Sequence, residues 1–583
     1  MFRLEGGPGL TNLTFPVADR FAATRDVVLV GYRGVDGSVR LDCPEVAAAL
    51  KRGGPYLGEQ SVNAHADALS SCATRLQDSG IDLDGYTLSQ RVDDFDAARQ
   101  GLGYEKIDLL SQSANSRTAM IYSWRYPERV HRSVMIGANP PGHYVWDPQD
   151  AVDHIDRYSQ LCAEDPACSR RTDDLADLMT RTSADLPERW GFLPIKADQV
   201  RILSFFGLME SEHKPPLTGP MTIDAWLAAA NGDASGFWFQ SFGADMLFAN
   251  PWVWGEYAAL GRADAHAAAR HFTSDAAAAD PILRDAGTSF IWSAGGLIDA
   301  WPSNGSEDEY TRVQKSDVET LLVGGELDLA TPPHVATKEL LPHLSNGHQV
   351  IIENLGHTVS FWNYQPEAST RLITAFLDTG KVDDSLYRPA TVDFTPELTQ
   401  TAMGKGVGYS MMGLSVLMVL SLLGMRRRVG RRGAFGPVSA ALLRSLYPML
   451  LGLGGWFAAV LIVMTAQVTV ALDDPLLAAA STGLPIGIGV YYTWVHRAFA
   501  SGTKLGGFVA AVGGSLVGAW LGFSAVTGLL ALFTATVGAT AGAITAVIFL
   551  DIRRATHARR TAGETSSEAP SRPVSPAPAG SAV

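Results

Sequence analysis

The sequence predicts an α/β fold with a mostly parallel sheet and a helical insertion, followed by an all-α transmembrane region of about five helices. Apolar runs alternate with helical patterns up to residue 146 and again over 317–385. Between them, residues 147–316 are helical in pattern and rich in aromatic residues. From Gly406 onward the chain is dominated by Ala, Gly, Leu and Val, with long uncharged stretches. Strands that alternate with helices indicate a parallel sheet with helices on both faces.

The bulk composition excludes several classes of function. A chain of 583 residues is too long for one ordinary domain. Its net charge of −14 argues against a nucleic-acid partner. The sequence has no glycine-rich phosphate loop and no metal-binding H-E-x-x-H motif. We therefore expect neither a cofactor nor a metal.

The first part of the core, residues 1–146, opens inside a strand. "FRLEGGPG" is the end of an apolar strand that enters a glycine turn at Gly6–Gly9, and "RDVVLVGYRGVDGS" is a second buried strand with its loop. Glycine lets a backbone approach another group closely, so the turn can present N–H groups to a substrate. Because a mid-sheet strand already runs at Met1, we expect the natural protein to start upstream, with further strands of the core before this one.

A serine lies at the next strand-to-helix junction, in "IDLLSQSANSRTAMIYSWRYPERV". Residues 107–110 predict the strand, and residues 118–126 predict the helix, which stops at Pro127. Ser113 lies between them, where a sharp turn would expose its hydroxyl group. The usual form of this motif is G-x-S-x-G. In this chain Ser111 and Asn115 occupy the glycine positions.

Two more strands in residues 317–385 supply chemical partners for Ser113. Asp328 follows the strand in "VETLLVGGELDLATPP", and His357 follows the strand in "HQVIIENLGHTVSF". The carboxyl ends of parallel strands meet at one edge of the sheet, where active sites lie. A hydroxyl, an imidazole base and a carboxylate that holds the base form a Ser-His-Asp triad. Asp328 could alternatively be only a helix N-cap, and Ser113 only a turn residue.

Together these motifs resemble the proline iminopeptidase and tripeptidyl aminopeptidase group of α/β-hydrolases. The resemblance covers about residues 1–385 and rests on "GGPG", "GYRGVDGS" with "LDCPE", the Ser113 elbow, "GELDLATPP" and "LGHT", in that order. It implies a serine aminopeptidase with Ser113 as nucleophile, Asp328 as acid and His357 as base. The N–H groups of Gly7 and Ala114 would form the oxyanion hole.

The resemblance also implies that residues 147–316 form a cap that covers the site and selects substrates. In this group acidic cap residues hold the free amine of the substrate. Glu210, Glu212 and Glu256 are candidates by residue type alone; most carboxylates are simply solvated.

Two departures from the pattern concern the elbow. Ser111 adds only a hydroxymethyl group where glycine is usual. Asn115 tolerates unusual backbone angles, and we expect its side chain to turn outward or to bond a loop. On that basis Asn115→Gly would be neutral or would raise activity.

The four cysteines all lie in the first part of the chain: Cys43, Cys72, Cys162 and Cys168. Their even number and the closeness of the last two favour two disulfides and an oxidising compartment over four unrelated thiols. The family resemblance implies the pairs Cys43–Cys72 and Cys162–Cys168.

After a linker at 386–404, residues 405–553 predict five membrane spans. Uncharged stretches run over 406–425, 445–472, 475–495 and 505–550, the last long enough for two spans joined near 522–524. One helix needs about 20 residues to cross the bilayer. No acidic or basic residue lies centrally in a span, so we interpret the helices as an anchor or scaffold and not as an ion path.

Basic residues set the expected orientation of the spans. Arginines follow the first and fifth spans, and Arg497 and Lys504 follow the third, so all fall on one side, whereas Asp473 and Asp474 fall on the other. Cytoplasmic loops are enriched in Lys and Arg. The first part of the chain is therefore expected outside the cytoplasm, and the tail 554–583 inside it and disordered.

Three functions fit these features. The first is a membrane-anchored extracytoplasmic aminopeptidase that acts on peptides through an acyl-enzyme on Ser113. The second is an esterase for small acyl substrates, because fold and triad do not fix the acyl group. The third is a catalytically silent membrane scaffold or sensor.

Overall fold

A computed structural model describes residues 1–52, 54–212, 217–248, 252–274, 276–302, 308–466, 470–495, 501–526 and 528–567. The chain divides into two compact units. Met1–Val407 belongs to the first, and Gly408–Ala466 with the chain from Leu472 onward belongs to the second.

The first unit is built on a six-stranded sheet in which every pair of neighbours is parallel, with the order β2-β1-β3-β4-β7-β8. A separate two-stranded antiparallel hairpin is formed by β5 and β6. The strands are β1 Phe2–Leu4, β2 Val28–Leu29, β3 Ile107–Gln112, β4 Val130–Ile136, β5 Arg189–Trp190, β6 Leu193–Pro194, β7 Thr320–Gly325 and β8 Gly347–Ile352.

Register places the functional loops side by side at one edge of this sheet. Leu4 of β1 pairs with Ser111 of β3, so the residues two further along, Gly6 and Ser113, leave the sheet at the same level. Because all strands are parallel, the loops after β1, β3, β4, β7 and β8 leave from the same edge.

Helices cover both faces of the sheet and give the α/β-hydrolase fold predicted from the sequence. One apolar cluster contains Phe2, Leu109 and Phe95; another contains Leu110, Leu321 and Phe376. The alternation of neighbours such as Leu109 and Leu110 between clusters reflects the two-residue period of a strand. The core helices are α1 Asp19–Ala22, α2 Pro44–Leu50, α3 Glu59–Asp78, α4 Leu88–Gly101, α5 Ser116–Arg125, and, after the cap helices, α15 Pro333–Val335, α16 Thr358–Asn363 and α17 Pro366–Thr379.

A helical insertion, the cap, lies between β4 and β7. Its core is aromatic: Trp226, Trp238 and Trp292 are fully buried, and the Trp292 indole donates to the Tyr144 carbonyl oxygen at 2.9 Å. The cap helices are α6 Pro148–Glu164, α7 Leu175–Ala184, α8 Ala197–Leu208, α9 Gly219–Ala230, α10 Ser235–Leu247, α11 Trp254–Gly261, α12 Ala265–Phe272, α13 Ala286–Ile291 and α14 Leu297–Ala300.

All four cysteines form disulfides within the first unit. Cys43, which precedes α2, is bonded to Cys72 in α3, and Cys162 at the end of α6 is bonded to Cys168. Both pairs agree with those implied by the family resemblance. Such bonds persist in oxidising compartments.

The second unit consists of helices long and apolar enough to cross a membrane, and five such helices occur among the described residues. The number agrees with the sequence prediction. The helices are α18 Gln400–Arg432, α19 Pro437–Thr465, α20 Pro475–Trp494, α21 Ser501–Ser524 and α22 Leu529–Ser567.

Glycines allow two of these helices to pack with their backbones close together. A Cβ atom on Gly518 would lie 2.0 Å from the carbonyl oxygen of Gly538, and one on Gly514 would lie 2.4 Å from that of Gly542. Larger residues at these positions would force α21 and α22 apart. This is the small-residue packing expected of membrane helices.

Two helices in this region extend beyond the uncharged stretches that predicted their spans. Helix α18 starts at Gln400, inside the predicted linker, because Gln400 and Thr401 bond cap side chains: Gln240 donates to Gln400 at 2.7 Å, and Thr401 donates to Asp224 at 3.0 Å. Helix α19 begins at Pro437, before the uncharged stretch at 445–472, and includes Arg444, whose guanidinium lies over the Trp494 ring.

The predicted disordered tail is helical at its start, since α22 runs to Ser567. The first part of this segment, 554–562, contains three Ala and three Arg and no proline, and Ala and Arg are strong helix formers. The remainder of the predicted tail, 568–583, and Arg497 lie outside the described residues.

The disulfides should contribute unequally to stability. Cys43 and Cys72 are separated by 29 residues and Cys162 and Cys168 by 6. A longer closed loop restricts the unfolded chain more, so the double serine variant should lose about 3–4 kcal/mol for the first pair and about 2–2.5 kcal/mol for the second. Chemical denaturation of the two variants measures this; a larger loss for the Cys162–Cys168 pair would contradict it.

Candidate active site

Ser113 lies at the turn between β3 and α5, in a backbone conformation that few residues adopt. Its φ angle is +50°, which costs an L-residue on the order of 1–2 kcal/mol. A short 3₁₀ turn, Ser113–Asn115, leads directly into α5. The turn points the serine away from the sheet edge, and Ser113 is partly exposed in a cavity.

The glycine loop after β1 packs directly on this turn. A Cβ atom on Gly6 would lie 2.6 Å from the Cβ of Ser113 and 2.9 Å from the carbonyl oxygen of Gln112. Only glycine fits this contact. The loop backbone therefore lies against Ser113.

The structure brings Ser113, His357 and Asp328 into one hydrogen-bonded chain. The Nε2 atom of His357 is 2.9 Å from the Ser113 Oγ, and its Nδ1 atom is 2.7 Å from the Asp328 Oδ2. The three residues come from the loops after β3, β8 and β7. This is the arrangement of a hydroxyl, a base and the carboxylate that orients the base.

Asp328 is held by its own loop. The Thr331 backbone N–H donates to Asp328 Oδ1 at 2.8 Å, and its hydroxyl donates to Oδ2 at 2.7 Å. Gly137, after β4, has φ +58°, and a Cβ there would lie 2.7 Å from the Thr331 hydroxyl and 3.0 Å from the His357 ring. The absence of a side chain at Gly137 keeps the space for the aspartate–histidine contact.

A cap segment holds the histidine loop. The His357 N–H donates to the Met209 carbonyl at 2.8 Å, and the Gly356 N–H donates to the Ser211 hydroxyl at 2.7 Å. A Cβ on Gly356 would lie 2.5 Å from the Ser211 nitrogen. The backbone around His357 is therefore set by the cap as well as by the core.

The electrostatic surroundings raise the pKa of the His357 imidazole. Burial lowers this pKa, but the negative charge of Asp328 and its hydrogen bond outweigh the burial, and the charges of Glu210 and Glu5 act in the same direction. A histidine with a raised pKa is a stronger base when it is neutral. It also requires a higher pH to become neutral.

A cavity of about 620 Å³ opens onto Ser113 and His357. Gly7, with φ +76°, and Ala114 both line it; their role as the oxyanion hole stays a prediction. Much of the wall is aromatic: Phe15, Tyr144, Trp146, Phe206, Trp252, Tyr257 and Trp362. A cavity of this size and character suits a small, largely apolar ligand.

Of the three candidate cap carboxylates, Glu210 lines this cavity, whereas Glu212 and Glu256 are buried outside it. Glu210 accepts hydrogen bonds from the backbone N–H groups of Val359 and Ser360, both at 2.9 Å, at the start of α16. Burial raises the pKa of the Glu210 carboxyl group, although the charge of His357 and these hydrogen bonds oppose the rise.

Glu256 has a different set of partners from those expected of an amine-binding residue. It is 1% exposed, forms an ion pair with Arg91 and accepts a hydrogen bond from the Gly9 N–H. Unlike Glu210, Glu256 does not line the cavity, and its charge is already paired with that of a buried arginine. The assignment of Glu256 as a substrate carboxylate is therefore wrong for this structure.

Asn115 does not turn outward, because it is fully buried and bonds the glycine loop. Its Nδ2 donates to the Glu5 carbonyl at 2.7 Å, and its Oδ1 accepts from Arg91 at 2.8 Å and from Thr118 at 3.0 Å. Removing this side chain would leave buried groups without partners. The structure argues against a neutral or beneficial effect of Asn115→Gly.

Sequence reasoning missed Glu5 and Arg91. Glu5 lines the cavity beside Gly6 and is paired with the buried Arg3 at 2.9 Å. Glu5 could have been predicted as a site residue, because its carboxylate lies at the end of a strand, directly before the glycine turn. Nothing local marked Arg91, since its partners come from the elbow and the cap.

No group of three or more His, Cys, Asp or Glu side chains that could hold a metal occurs within the described ranges of the chain. That the chain needs neither a metal nor a cofactor stays a prediction from the sequence.

Comparison with known proteins supports the fold. A family model described as TAP-like protein matches residues 286–387. A search of curated proteins finds no match.

A search of solved structures matches proteins of low sequence identity. They include an esterase from Exiguobacterium antarcticum (14% identity, 65% of this chain and 91% of that chain, TM-score 0.30). A meta-cleavage product hydrolase from Pseudomonas fluorescens IP01 has 16% identity and covers 65% and 90% (TM-score 0.27). A serine hydrolase from Cycloclasticus zankles has 12% identity and covers 66% and 90% (TM-score 0.29). Likeness at this level says nothing about the substrate.

The raised pKa of His357 predicts the pH dependence of any reaction at Ser113. The imidazole must be neutral to accept the serine proton, so the rate constant for fluorophosphonate inactivation should fall on the acid side with an apparent pKa above the usual 6.5. Asp328→Asn removes the negative charge that raises the pKa of His357 most. The acid limb of the pH profile should therefore move to lower pH, while the rate constant falls by about four orders of magnitude.

The pH profiles of the two proteins measure this prediction. Asp150→Asn removes a carboxylate that pairs with His334 outside the site and should leave the profile in place. An acid limb that stays at the same pH in Asp328→Asn would show that Asp328 does not set the pKa of His357.

Proposed function

We propose that the chain is a membrane-anchored serine hydrolase that removes residues from peptide N-termini through an acyl-enzyme on Ser113. The chain of hydrogen bonds from Ser113 through His357 to Asp328 carries this proposal. A serine hydroxyl is a weak nucleophile alone and becomes effective beside a general base.

The mechanism follows from these contacts. As the Ser113 Oγ attacks the substrate carbonyl, its proton passes to the His357 Nε2, and Asp328 stabilises the imidazolium. The Gly7 and Ala114 N–H groups face the negative oxygen of the tetrahedral intermediate. His357 then gives the proton to the leaving amine, and a water molecule, deprotonated by the same imidazole, releases the acyl group.

Two cavity carboxylates support an aminopeptidase. Glu210 and Glu5 both line the cavity that opens onto Ser113 and His357. The positively charged N-terminal amine of a peptide substrate would lie beside these carboxylates, and the scissile bond would then lie near Ser113. The aromatic wall of the cavity can bind an apolar side chain or acyl group. This feature would also suit an esterase.

Composition and disulfides support the cellular location. Five helices could anchor the chain in a lipid bilayer. Arg431 and Arg432 end α18, and Arg553 and Arg554 lie in α22; by the positive-inside rule these ends belong in the cytoplasm. The first unit would then lie outside the cytoplasm, where its two disulfides are stable.

Ser113→Ala tests the reaction itself. We expect it to reduce turnover of a p-nitrophenyl ester by several orders of magnitude, because the nucleophile is lost while the cavity remains. Ser111→Ala is the matched control: this serine is buried two residues away, and its hydroxyl donates to the Val134 carbonyl in the neighbouring strand. Equal activity of Ser113→Ala and wild type would exclude the proposed nucleophile.

Free and N-acetylated substrates test the aminopeptidase assignment. Aminoacyl p-nitroanilides with a free amine should be cleaved with a kcat/KM at least about 10-fold above that of their N-acetyl forms, a difference of about 1.4 kcal/mol in transition-state binding. Glu210→Gln should remove most of this preference, and Glu212→Gln should preserve it. Preference for esters, with no response to the amine, would favour an esterase.

A further inference from the structure

Asn115 occupies the position where the elbow motif usually has glycine, and its side chain makes hydrogen bonds to other parts of the site. It joins the turn that carries Ser113 to the loop that carries Gly7. The Asn115 Nδ2 donates to the Glu5 carbonyl at 2.7 Å, and the Tyr32 hydroxyl donates to the same carbonyl at 2.8 Å. The start of the glycine loop is therefore held by two donors.

The other end of this loop is held by the cap. The Gly9 N–H donates to Glu256 in α11, and the Gly9 carbonyl accepts from the Val253 N–H at 3.0 Å. Gly9 has φ +72°, and a Cβ there would lie 2.8 Å from the Val253 nitrogen. The loop and the cap are thus in direct backbone contact.

Arg91 links the two ends of the loop. One of its guanidinium nitrogens donates to the Asn115 Oδ1 at 2.8 Å, and another is ion-paired with Glu256. Its guanidinium also lies 4.2 Å from the centre of the Tyr32 ring. Arg91, Asn115 and Glu256 are 2%, 0% and 1% exposed, so water does not replace any of these bonds at low cost.

We propose that Arg91, Asn115 and Glu256 are positioning residues that fix the oxyanion loop against Ser113. They do not touch the reacting atoms. They set where the Gly7 N–H lies relative to the Ala114 N–H by holding Glu5 at one end of the loop and Gly9 at the other. The proposal rests on the proposed function, since an oxyanion hole matters only if Ser113 is acylated.

This role accounts for the loss of the elbow glycine. With glycine at 115, the Glu5 carbonyl would lose one donor and Arg91 would lose one acceptor in a buried site. It also makes the cap part of the catalytic geometry, because Glu256 and Val253 belong to the cap. A cap that is displaced would release Gly9.

The test compares Asn115→Asp with wild type in the full-length protein. The substitution has the same shape and keeps an oxygen for Arg91 and Thr118, but it replaces the donor to the Glu5 carbonyl with a repelling oxygen. The loop should shift while the triad stays. Oxyanion donors act on the transition state, so we expect kcat to fall by about 10- to 100-fold, with KM changed by less than about threefold.

The inhibition constant of phenylboronic acid is a second measurement. It should not change if Asn115 only stabilises the fold. The boron of phenylboronic acid bonds to the Ser113 oxygen, whose proton passes to the His357 Nε2, and becomes a tetrahedral anion that resembles the reaction intermediate. The inhibition constant should rise by a factor similar to the fall in kcat. Unchanged kcat and unchanged boronate affinity in folded Asn115→Asp would overturn the proposal.

Asn354→Asp is the matched control. Asn354 is also buried, accepts from an arginine, Arg157, at 2.9 Å, and donates to a backbone carbonyl, that of Ala390, at 3.1 Å. Its bonds do not reach the glycine loop. Both variants should lose thermal stability, but only Asn115→Asp should lose kcat and boronate affinity; equal losses in both would also overturn the proposal.

Glu256→Gln gives an independent arm if Asn115→Asp does not fold. Its amide oxygen can accept from Gly9 or from Arg91 but not hold both as the carboxylate does, so kcat should fall in the same direction. An unchanged kcat in folded Glu256→Gln would contradict the role. Failure of the wild type to react with a fluorophosphonate would instead refute the proposed function itself.

Discussion

The backbone contact between Gly6 and Ser113 is the constraint on which the site depends. The pairing of Leu4 with Ser111 brings the two loops out of the sheet at one level, and the missing side chain of Gly6 lets them touch. Ser113 can then keep its φ of +50°, because the surrounding packing holds a conformation that costs free energy on its own. A change in strand register by one residue would separate Ser113 from the glycine loop.

Buried ion pairs between the core and the cap stabilise the region around Gly6 and Ser113. Arg91 joins Glu256 of the cap to the elbow, and Arg117 of α5 joins Asp264 of the cap at 3.0 Å. The charge of Arg117 and two backbone N–H groups overcome burial and lower the pKa of the Asp264 carboxyl group. Removing one partner of a buried pair leaves an uncompensated charge, which is strongly destabilising. These two buried pairs therefore tie the cap to the edge of the core that carries Ser113.

The sequence was sufficient to predict the parts of the site that local pattern determines. Strand-to-loop junctions place Ser113, Asp328 and His357, and the structure brings these three together. The alternation of strands and helices predicted the sheet and the cap, and uncharged stretches predicted the five apolar helices. Each of these features depends on residues that are close in the chain.

The parts that sequence could not predict depend on partners far apart in the chain. Asn115 was expected to turn outward or bond a loop, and only the second alternative agrees with its contacts. Glu256 was chosen by residue type, but Arg91, 165 positions away, engages it. Helix α18 begins within a predicted linker because cap side chains such as Gln240 and Asp224 bond its first turn. Such choices are made by tertiary contacts, which residue patterns do not contain.

The central claim is that Ser113 becomes covalently acylated in this setting. Peptide mapping by mass spectrometry after treatment of the folded wild-type protein with a fluorophosphonate tests it most directly. We expect a single phosphonylated peptide, modified on Ser113, with no comparable adduct on Ser111 or Ser116. An unmodified Ser113 in folded protein, or a main adduct on another serine, would contradict the claim.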